Sequence, residues 1–408
     1  MEMLKQVQHD EGKKNMKIGI DASRANKPIK TGVEWYSYHI IQELKKIDSD
    51  NQYFLYTNTA LKMGLEKCPG NFKELQLKWP LVYMWTLIRI SFEIKFGKTK
   101  PDVLFVPAHT LPLLNPKKTL VTIHDIGYER FPELYKWPQK LYHKWSSRFV
   151  KKHATKIITV SEFSKREIMD VYNIPSEKIE VVYNGYDSAT YRLGGVAKLQ
   201  NITKGYENKA GSDTNLQTDT KITETRQIDG PYMMFVGRLE SKKNIARLLE
   251  AFVKFKEKNP EDKHKLVLVG KPREAFNAKM TQLALEQKDA DIVHLDYLPS
   301  NEVAALLNRA DLFVFPSLYE GFGIPVLEAM ACGCPVICSN TTSLPEVAGE
   351  AAIMFDPENV DLIVKAMETV LFNPDVAEAM KQKGLEQVNN FSWNKAAREI
   401  KGIMDQLF

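Results

Sequence analysis

The chain has 408 residues, of which 44% are hydrophobic and 26% charged, as in an ordinary folded globular protein. Four cysteines in so long a chain argue against a disulfide framework, and no apolar run is long and uncharged enough to cross a bilayer. The length favours two domains over one, and the polar N-terminus predicts no signal peptide, so we expect a cytoplasmic protein.

The formal net charge of +5 conceals an asymmetry between the two halves. Residues 1–187 contain 30 Lys and Arg against 21 Asp and Glu, and residues 188–408 contain 26 against 30. The excess predicts an anionic partner for the N-terminal half, with solvated helix faces as the alternative. Because the second half is acidic, we do not expect nucleic-acid binding.

Short apolar runs alternate with longer amphipathic segments along most of the chain. After a polar extension at residues 1–15, Met16 opens the first predicted strand. Further predicted strands lie at residues 53–56, 103–106, 120–123, 156–160 and 180–182, and then at 233–236, 266–269, 292–295, 312–315 and 336–338. This rhythm predicts an α/β fold with two Rossmann-like domains, residues 16–187 and 231–390, which face each other across a ligand-binding cleft. Between them, residues 188–230 are polar and lack periodicity, which predicts a linker or insertion.

The segment Glu320-Gly-Phe-Gly-Ile-Pro-Val-Leu-Glu328 sets two carboxylates around a glycine turn and a helix start. A proline just inside a helix start is well placed, and the amides before it are free to face an anion. If the helix begins near Ile324, Glu328 lies about one turn in, close enough to accept hydrogen bonds from ribose. The geometry suits a nucleotide-sugar, and a plain strand-turn-helix connector is the alternative.

A second polar junction follows the strand that ends at Val236. Gly237 and Arg238 come directly after it, and Lys242 and Lys243 precede an amphipathic helix. Cations at such a junction bind phosphate and can stabilise a diphosphate leaving group without a metal ion. A solvated basic turn is the alternative.

Taken together, these segments resemble the family 4 retaining glycosyltransferases of GT-B fold, and the resemblance runs from about Met16 to the C-terminus. The matching segments are Phe235-Val-Gly-Arg-Leu with Lys243-Asn244, Pro316-Ser317, the segment 320–328, Glu328-Ala-Met-Ala-Cys-Gly-Cys-Pro-Val-Ile, His124-Asp125, Ser161 to Ser164, Asn184 to Asp187, Leu344-Pro-Glu346 and Phe391-Ser-Trp393.

The resemblance implies a role for each matching position at the donor. Gly237, Arg238 and Lys243 would bind the diphosphate, and Glu328 the ribose. The sugar would be contacted by Glu320 and by the backbone of residues Phe322, Gly323 and Ile324. His124 would orient the sugar from the opposite domain, and Gly32, in Lys30-Thr-Gly-Val-Glu34, would let the backbone approach the diphosphate. A final helix, residues 391–408, would cross back to the first domain.

The same resemblance implies the reaction. We expect transfer of a hexose from a nucleotide diphosphate-sugar, GDP-mannose first and UDP-glucose second, to a glycan or lipid-linked glycan acceptor. In the same-face mechanism inferred for the family, the departing phosphate oxygen takes the acceptor proton, so no dedicated base, metal or resident cofactor is needed. A nucleotide-sugar 2-epimerase and a catalytically silent nucleotide-sugar-binding protein are the alternatives, but the intact motifs favour the transferase.

Two patterns suggest metal ligands but have simpler explanations. Cys332, Cys334 and Cys338 lack a paired C-x-x-C spacing, and Gly333 with Pro335 suits a tight helix-to-strand turn. The strings Asp48 to Asp50 and Asp289 to Asp291 lie where helices give way to strands, so we expect solvated turns and no metal site.

The segment Trp79 to Ile94 mixes large apolar residues with Arg89, and lysines follow it. It is compatible first with a helix packed against the N-terminal sheet. The second interpretation is an interfacial helix that contacts an anionic membrane at the inner face of the cell membrane.

Overall fold

The computed structural model describes residues 15–80, 84–195, 228–272 and 291–408. The chain divides into two units: the first runs up to Gly185 and includes Ser392–Phe408, and the second is Tyr186–Phe391. Most of the predicted extension at 1–15 and of the predicted linker at 188–230 lies outside the described residues. The described start of that linker is packed in the second unit, where Gly194 N donates to Asn308 Oδ1 at 2.9 Å.

The first unit is built on a parallel sheet whose strands were largely predicted. Its strands are β1 Lys17–Asp21, β2 Gln52–Thr57, β3 Phe72–Gln76, β4 Val103–Val106, β5 Lys118–Thr122, β6 Lys156–Thr159 and β7 Ile179–Val181. Its α-helices are α1 Gly32–Ile47, α2 Ser91–Phe96, α3 Gly127–Arg130, α4 Trp137–His153 and α5 Glu162–Tyr172. The sheet order is β3-β2-β1-β4-β5-β6-β7. Every residue of β4 is buried, which requires cover on both faces of the sheet.

The second unit repeats this plan. Its strands are β8 Tyr232–Val236, β9 Lys265–Val269, β10 Ile292–Leu295, β11 Leu312–Phe315, β12 Val336–Ser339 and β13 Ala352–Phe355, in the order β10-β9-β8-β11-β12-β13. Its α-helices are α6 Ile245–Lys258, α7 Ser300–Leu307, α8 Ile324–Ala331, α9 Leu344–Ala348, α10 Val360–Leu371 and α11 Pro374–Gln387. In each sheet the strand order reverses next to the first strand, between β1 and β4 and between β8 and β11. Open α/β sheets bind ligands at such reversals.

The last helix, α12 Trp393–Leu407, returns to the first unit as predicted. The Trp393 ring stacks on His39 at 5.1 Å between centroids and meets the Tyr36 ring edge at 5.9 Å. Asn394 Nδ2 donates to Glu43 Oε2 at 3.0 Å, so both apolar and polar contacts tie α12 to α1.

The segment at residues 79–94, of which residues 81–83 lie outside the described residues, contributes several side chains to the first unit's core and exposes Met84 and Phe92. A π-helical turn, Trp85–Ile90, leads directly into α2, and Trp85, Leu87 and Ile90 are buried. Trp85 Nε1 donates to Leu77 O at 3.0 Å. Trp85, Leu87 and Ile90 therefore pack against the sheet, whereas membrane contact through the exposed Met84 and Phe92 stays a prediction. Within the described ranges, no helix combines the length and hydropathy that a membrane span requires.

The attachment of α12 predicts a stability difference between two glycine substitutions. A Cβ at Gly185 would lie 2.2 Å from Trp393 N, whereas a Cβ at Gly402, on α12 itself, would meet nothing within 4 Å. Gly185→Ala should therefore destabilise the protein by about 1–3 kcal/mol through overpacking. Gly402→Ala should stabilise it by about 1 kcal/mol through helix propensity. Urea unfolding of both variants measures the difference, and equal stabilities would contradict the packing of α12 at Gly185.

Candidate functional site

The candidate site of the second unit begins at the reversal of strand order, where β8 and β11 pair in parallel. Gly237 follows β8 with φ +155° and donates its N–H to Val269 O at 2.9 Å. A Cβ at Gly270 would lie 1.9 Å from Gly237 O, so this crossing also requires a glycine. The tight turn leaves Arg238 exposed at the carboxyl end of the sheet.

Lys243 and Glu320, which the sequence assigns to the diphosphate and the sugar, form an ion pair between Lys243 Nζ and Glu320 Oε1. The two side chains are only 13% and 11% exposed. Lys243 Nζ also lies 5.1 Å from the centroid of the Phe315 ring at the end of β11, a cation–π distance. The fold thus places a fixed cation and a fixed carboxylate at one point.

The Lys243 side chain is positioned by its neighbour Asn244. Asn244 adopts the left-handed conformation, with φ +58°, and precedes α6. Its Nδ2 donates to Pro357 O at 2.7 Å, and its Oδ1 accepts from Arg247 Nη1 at 3.1 Å. The order Lys243-Asn244 in the sequence therefore has a structural reason: Asn244 forms the turn that orients the Lys243 side chain.

The loop that carries Glu320 is braced by two residues that follow β12. Ser343 Oγ lies 3.0 Å from Glu320 O and 2.8 Å from Phe322 O, within hydrogen-bond distance of both carbonyls. Glu320 N donates to Thr342 Oγ1 at 3.3 Å, and Thr342 itself has φ +61°. Sequence reasoning missed both residues, although their place after a buried strand next to β11 could have indicated them.

Helix α8 begins at Ile324, as the sequence predicts, directly after Gly323 with φ +112°. A Cβ at Gly323 would lie 2.7 Å from Leu344 Cδ2, so both conformation and space require glycine here. Pro325 lies in the first turn, where its missing N–H costs no helical hydrogen bond.

Glu328 lies on α8 in an environment that disfavours its charge. Burial, followed by the negative charge of Asp187, raises the pKa of Glu328 to about 8, although a hydrogen bond from Tyr191 acts in the opposite direction. Asp187 and Tyr191 come from the chain that enters the second unit, and Tyr191 is buried. Asp187 belongs to a motif segment noted in the sequence, but its proximity to Glu328, and that of Tyr191, could not be predicted from it.

The other two predicted site residues lie in the first unit. His124 follows β5; its Nε2 donates to Pro107 O at 3.2 Å, and its ring meets the Tyr36 ring edge at 4.6 Å. Burial lowers the pKa of His124, which keeps the imidazole neutral. A neutral ring fixed in this way suits an orienting group, as predicted, and its contact with the sugar stays a prediction.

Gly32 is the first residue of α1, and it needs no glycine-specific conformation. A Cβ there would meet nothing within 4 Å. The turn before it is held by Glu34, whose carboxylate accepts hydrogen bonds from Thr31 N at 3.2 Å and Lys27 Nζ at 3.1 Å. Burial acts to raise the pKa of Glu34, but the bonds from Thr31 and Lys27 bring it down to about 2. The proposed approach of a diphosphate to Gly32 stays a prediction.

The two metal-like patterns are turns in the structure where they are described. Gly333, with φ +73°, forms the tight connection from α8 to β12 between Cys332 and Cys334. Asp48 ends α1 but is buried, not solvated, because Asn51 and Tyr53 donate to its carboxylate. Asp289 lies outside the described residues. Over the described ranges, no group of three or more His, Cys, Asp or Glu could hold a metal ion.

Comparison with solved structures identifies the fold. A sucrose-phosphate synthase from Thermosynechococcus elongatus superposes with a TM-score of 0.71 over 97% of this chain and 99% of that one, at 17% identity. Anabaena HepE, solved with UDP-glucose, gives a TM-score of 0.67 at 15% identity, covering 96% of this chain and 100% of that one. The fold is therefore that of the GT-B glycosyltransferases.

Comparison of sequences defines the family. The profile of glycosyl transferases group 1 matches residues 218–387, and that of glycosyltransferase family 4 matches residues 31–190. O-antigen chain mannosyltransferase B of Escherichia coli is 30% identical over 283 residues, 69% of each chain. O-antigen chain mannosyltransferase RfbU of Salmonella typhimurium is 28% identical over 299 residues, 73% of this chain and 72% of that one. The protein is a glycosyltransferase, and the chain belongs to glycosyltransferase family 4.

The environment of Glu328 predicts a pH-dependent cost to stability. Its pKa is about 8 in the folded protein and near 4.5 in the unfolded chain, so between these values the folded state holds a proton that the unfolded state has lost. Stability therefore falls as pH rises through this window. Glu328→Gln removes the ionisation. The melting temperature of the variant minus that of the parent should therefore become more positive as the pH rises from 5 to 8. A difference that does not change with pH would contradict the raised pKa.

Proposed function

We propose that this protein transfers a mannosyl residue from GDP-mannose to a glycan or lipid-linked glycan, with retention of the anomeric configuration and without a metal ion. The observation that carries the proposal is the Lys243–Glu320 ion pair, next to exposed Arg238, at the reversal of strand order. The choice of mannose rests on the two relatives named as O-antigen mannosyltransferases.

The cations suit the diphosphate of the donor. Arg238 offers a forked donor that binds phosphate oxygens in pairs, and Lys243 offers a point charge fixed by the turn at Asn244. Negative charge grows on the distal phosphate as the bond to the sugar breaks, and a cation that is already oriented stabilises it without rearrangement. The backbone N–H groups at the start of α8 add to this attraction.

The carboxylate of Glu320 suits the sugar. A transition state with oxocarbenium character carries positive charge on the ring, and the Glu320 carboxylate lies beside the phosphate-binding cation. The acceptor oxygen bonds to the anomeric carbon on the face from which the phosphate oxygen departs. That phosphate oxygen takes the acceptor proton, so the products are the glycoside and a nucleoside diphosphate. The protein contributes position and charge, and no side chain acts as a base.

Glu328 suits the ribose of the nucleotide. Its half-buried carboxyl group lies beside the hydroxyl of Tyr191, and Asp187 supplies a second acceptor nearby. Ribose hydroxyls that donate to Glu328 favour its charged form, and so they offset the burial that raises its pKa.

A panel of donors tests the choice of substrate. We expect GDP-mannose to bind more tightly than UDP-glucose by calorimetry and to be the donor that is slowly hydrolysed without acceptor, with release of GDP. The matched control is Glu320→Gln, which should retain binding and lose hydrolysis. Preference for UDP-glucose would reassign the donor, and failure of all nucleotide-sugars to bind would overturn the proposal.

The two glutamates should differ in their kinetic effects. Glu320→Ala should lower kcat by about 100- to 1000-fold, the size of effect found when one electrostatic stabiliser is removed. Glu328→Ala should raise the donor KM by about 10- to 100-fold, because hydrogen bonds to a charged group are lost. Steady-state kinetics measure both, and Glu386→Ala, an exposed site on α11, is the control. An unchanged donor KM in Glu328→Ala would refute the ribose role.

A further inference from the structure

Helix α4 of the first unit carries its largest apolar side chains on the outside. Trp137, Leu141 and Trp145 are 68%, 49% and 41% exposed. The buried positions of the helix are instead Ser146, Ser147 and Val150. A surface helix normally turns its apolar face to the core, so this arrangement is the reverse of the usual one.

These side chains form a continuous row. Residues four apart are neighbours on a helix surface, so Trp137, Leu141 and Trp145, which we call the α4 stripe, follow one another along α4, and the row ends at Phe149, which is half-buried against the core. Trp145 stacks on Phe149 at 5.3 Å between centroids, and Phe149 stacks on His153 at 4.1 Å. The 17 residues of α4 span about 25 Å, so the row is longer than a single small ligand.

The charged residues of the chain segment that carries the α4 stripe are all basic. Residues 134–161 contain seven basic and no acidic residues: Lys136, Lys140, Lys144, Arg148, Lys151, Lys152 and Lys156. Lys144 pairs with Glu129 at 3.0 Å. Arg148, Lys151 and Lys152 are exposed on α4. A partner that covered this face would therefore meet positive charge along most of the helix.

The basic and apolar surface continues beyond α4. Lys152 and His153 line a shallow groove together with Leu113, Leu114 and Lys117. Both leucines are exposed. The same combination of apolar side chains and lysines thus extends sideways from the end of the α4 stripe.

We infer that this face lies on an anionic lipid bilayer, with the α4 stripe inserted at the level of the headgroups and the flanking lysines and Arg148 on lipid phosphates. Exposed Trp and Leu beside a basic flank are the residues that bind this interface. A neutral glycan would explain the aromatic rings but not the uniform positive charge. If the proposed function is right, this contact would hold the enzyme next to lipid-linked acceptors.

Vesicle binding of the full-length protein tests the inference without donor or turnover. Large vesicles of phosphatidylcholine with 30 mol% phosphatidylglycerol are the probe, pure phosphatidylcholine vesicles are the comparison, and co-sedimentation gives the partition coefficient. We expect binding to the anionic vesicles only, and weaker binding in high salt because exposed charges are screened.

Two variants separate the apolar and electrostatic contributions. Trp137→Ala/Trp145→Ala should lower the partition coefficient by about tenfold or more. Arg148→Gln/Lys151→Gln/Lys152→Gln should lower it by about 100-fold, since each basic residue near the surface contributes a factor of about five. Matched controls in the second unit are Leu362→Ala/Phe372→Ala and Lys263→Gln/Lys365→Gln/Lys383→Gln, all exposed, which should bind like the parent. Melting temperatures check that each variant folds.

Three results would overturn the inference. The first is no binding to anionic vesicles at low salt, and the second is equal loss in the basic control, which would indicate attraction through net charge alone. The third is a change in another property of Trp137→Ala/Trp145→Ala with vesicle binding retained. A shift from dimer to monomer in sedimentation would make the stripe a contact between copies, and a raised KM for a water-soluble glycan acceptor would make it a glycan platform.

Discussion

The ion pair between Lys243 and Glu320 is the constraint around which the second unit's candidate site is arranged. Removing both charged groups from water has a large cost, which is offset only when the pair is held in good geometry. The loops after β8 and β11 supply that geometry, because the two strands are neighbours in the sheet. Asn244 turns the chain so that the lysine faces inward, and Ser343 fixes two carbonyl groups of the loop that carries the glutamate. Loss of either charge would leave the other buried without its partner.

The same arrangement explains why the chemistry is concentrated at strand ends. The interior of each sheet is made of strands such as β4 and β11, in which every residue is buried and apolar. Polar groups are excluded there and collect where strands end, at the reversal of strand order. Glu328 is the exception that lies on a helix, and desolvation together with the charge of Asp187 raises its pKa. A ligand that donates hydrogen bonds to this carboxyl group would relieve that cost.

The charge asymmetry between the two halves finds a structural counterpart in α4. The sequence indicated an anionic partner for the basic half and left two interpretations for residues 79–94, a packed helix or a membrane contact; Trp85 and Ile90 of that segment are buried. The long, purely basic stretch lies later in the chain, around the exposed Trp137 and Trp145. Hydrophobicity along a chain shows which segments have an apolar side, but it does not show whether that side meets the core or the solvent.

Local sequence signals were sufficient for most of the fold and for the residues of the site. Continuous apolar runs identified central strands such as β4 and β11. Motif residues such as Arg238 and Glu320 could be assigned from the sequence to the loops that follow predicted strands. The edge strand β3 was not predicted because its exposed positions are polar and break the apolar run, whereas β13 was not predicted although Ala352–Phe355 are all apolar. The braces at Thr342 and Ser343, the proximity of Asp187 to Glu328 and the outward face of α4 depend on contacts between residues far apart in the chain. No local pattern encodes such contacts, because they form only when separate elements pack together.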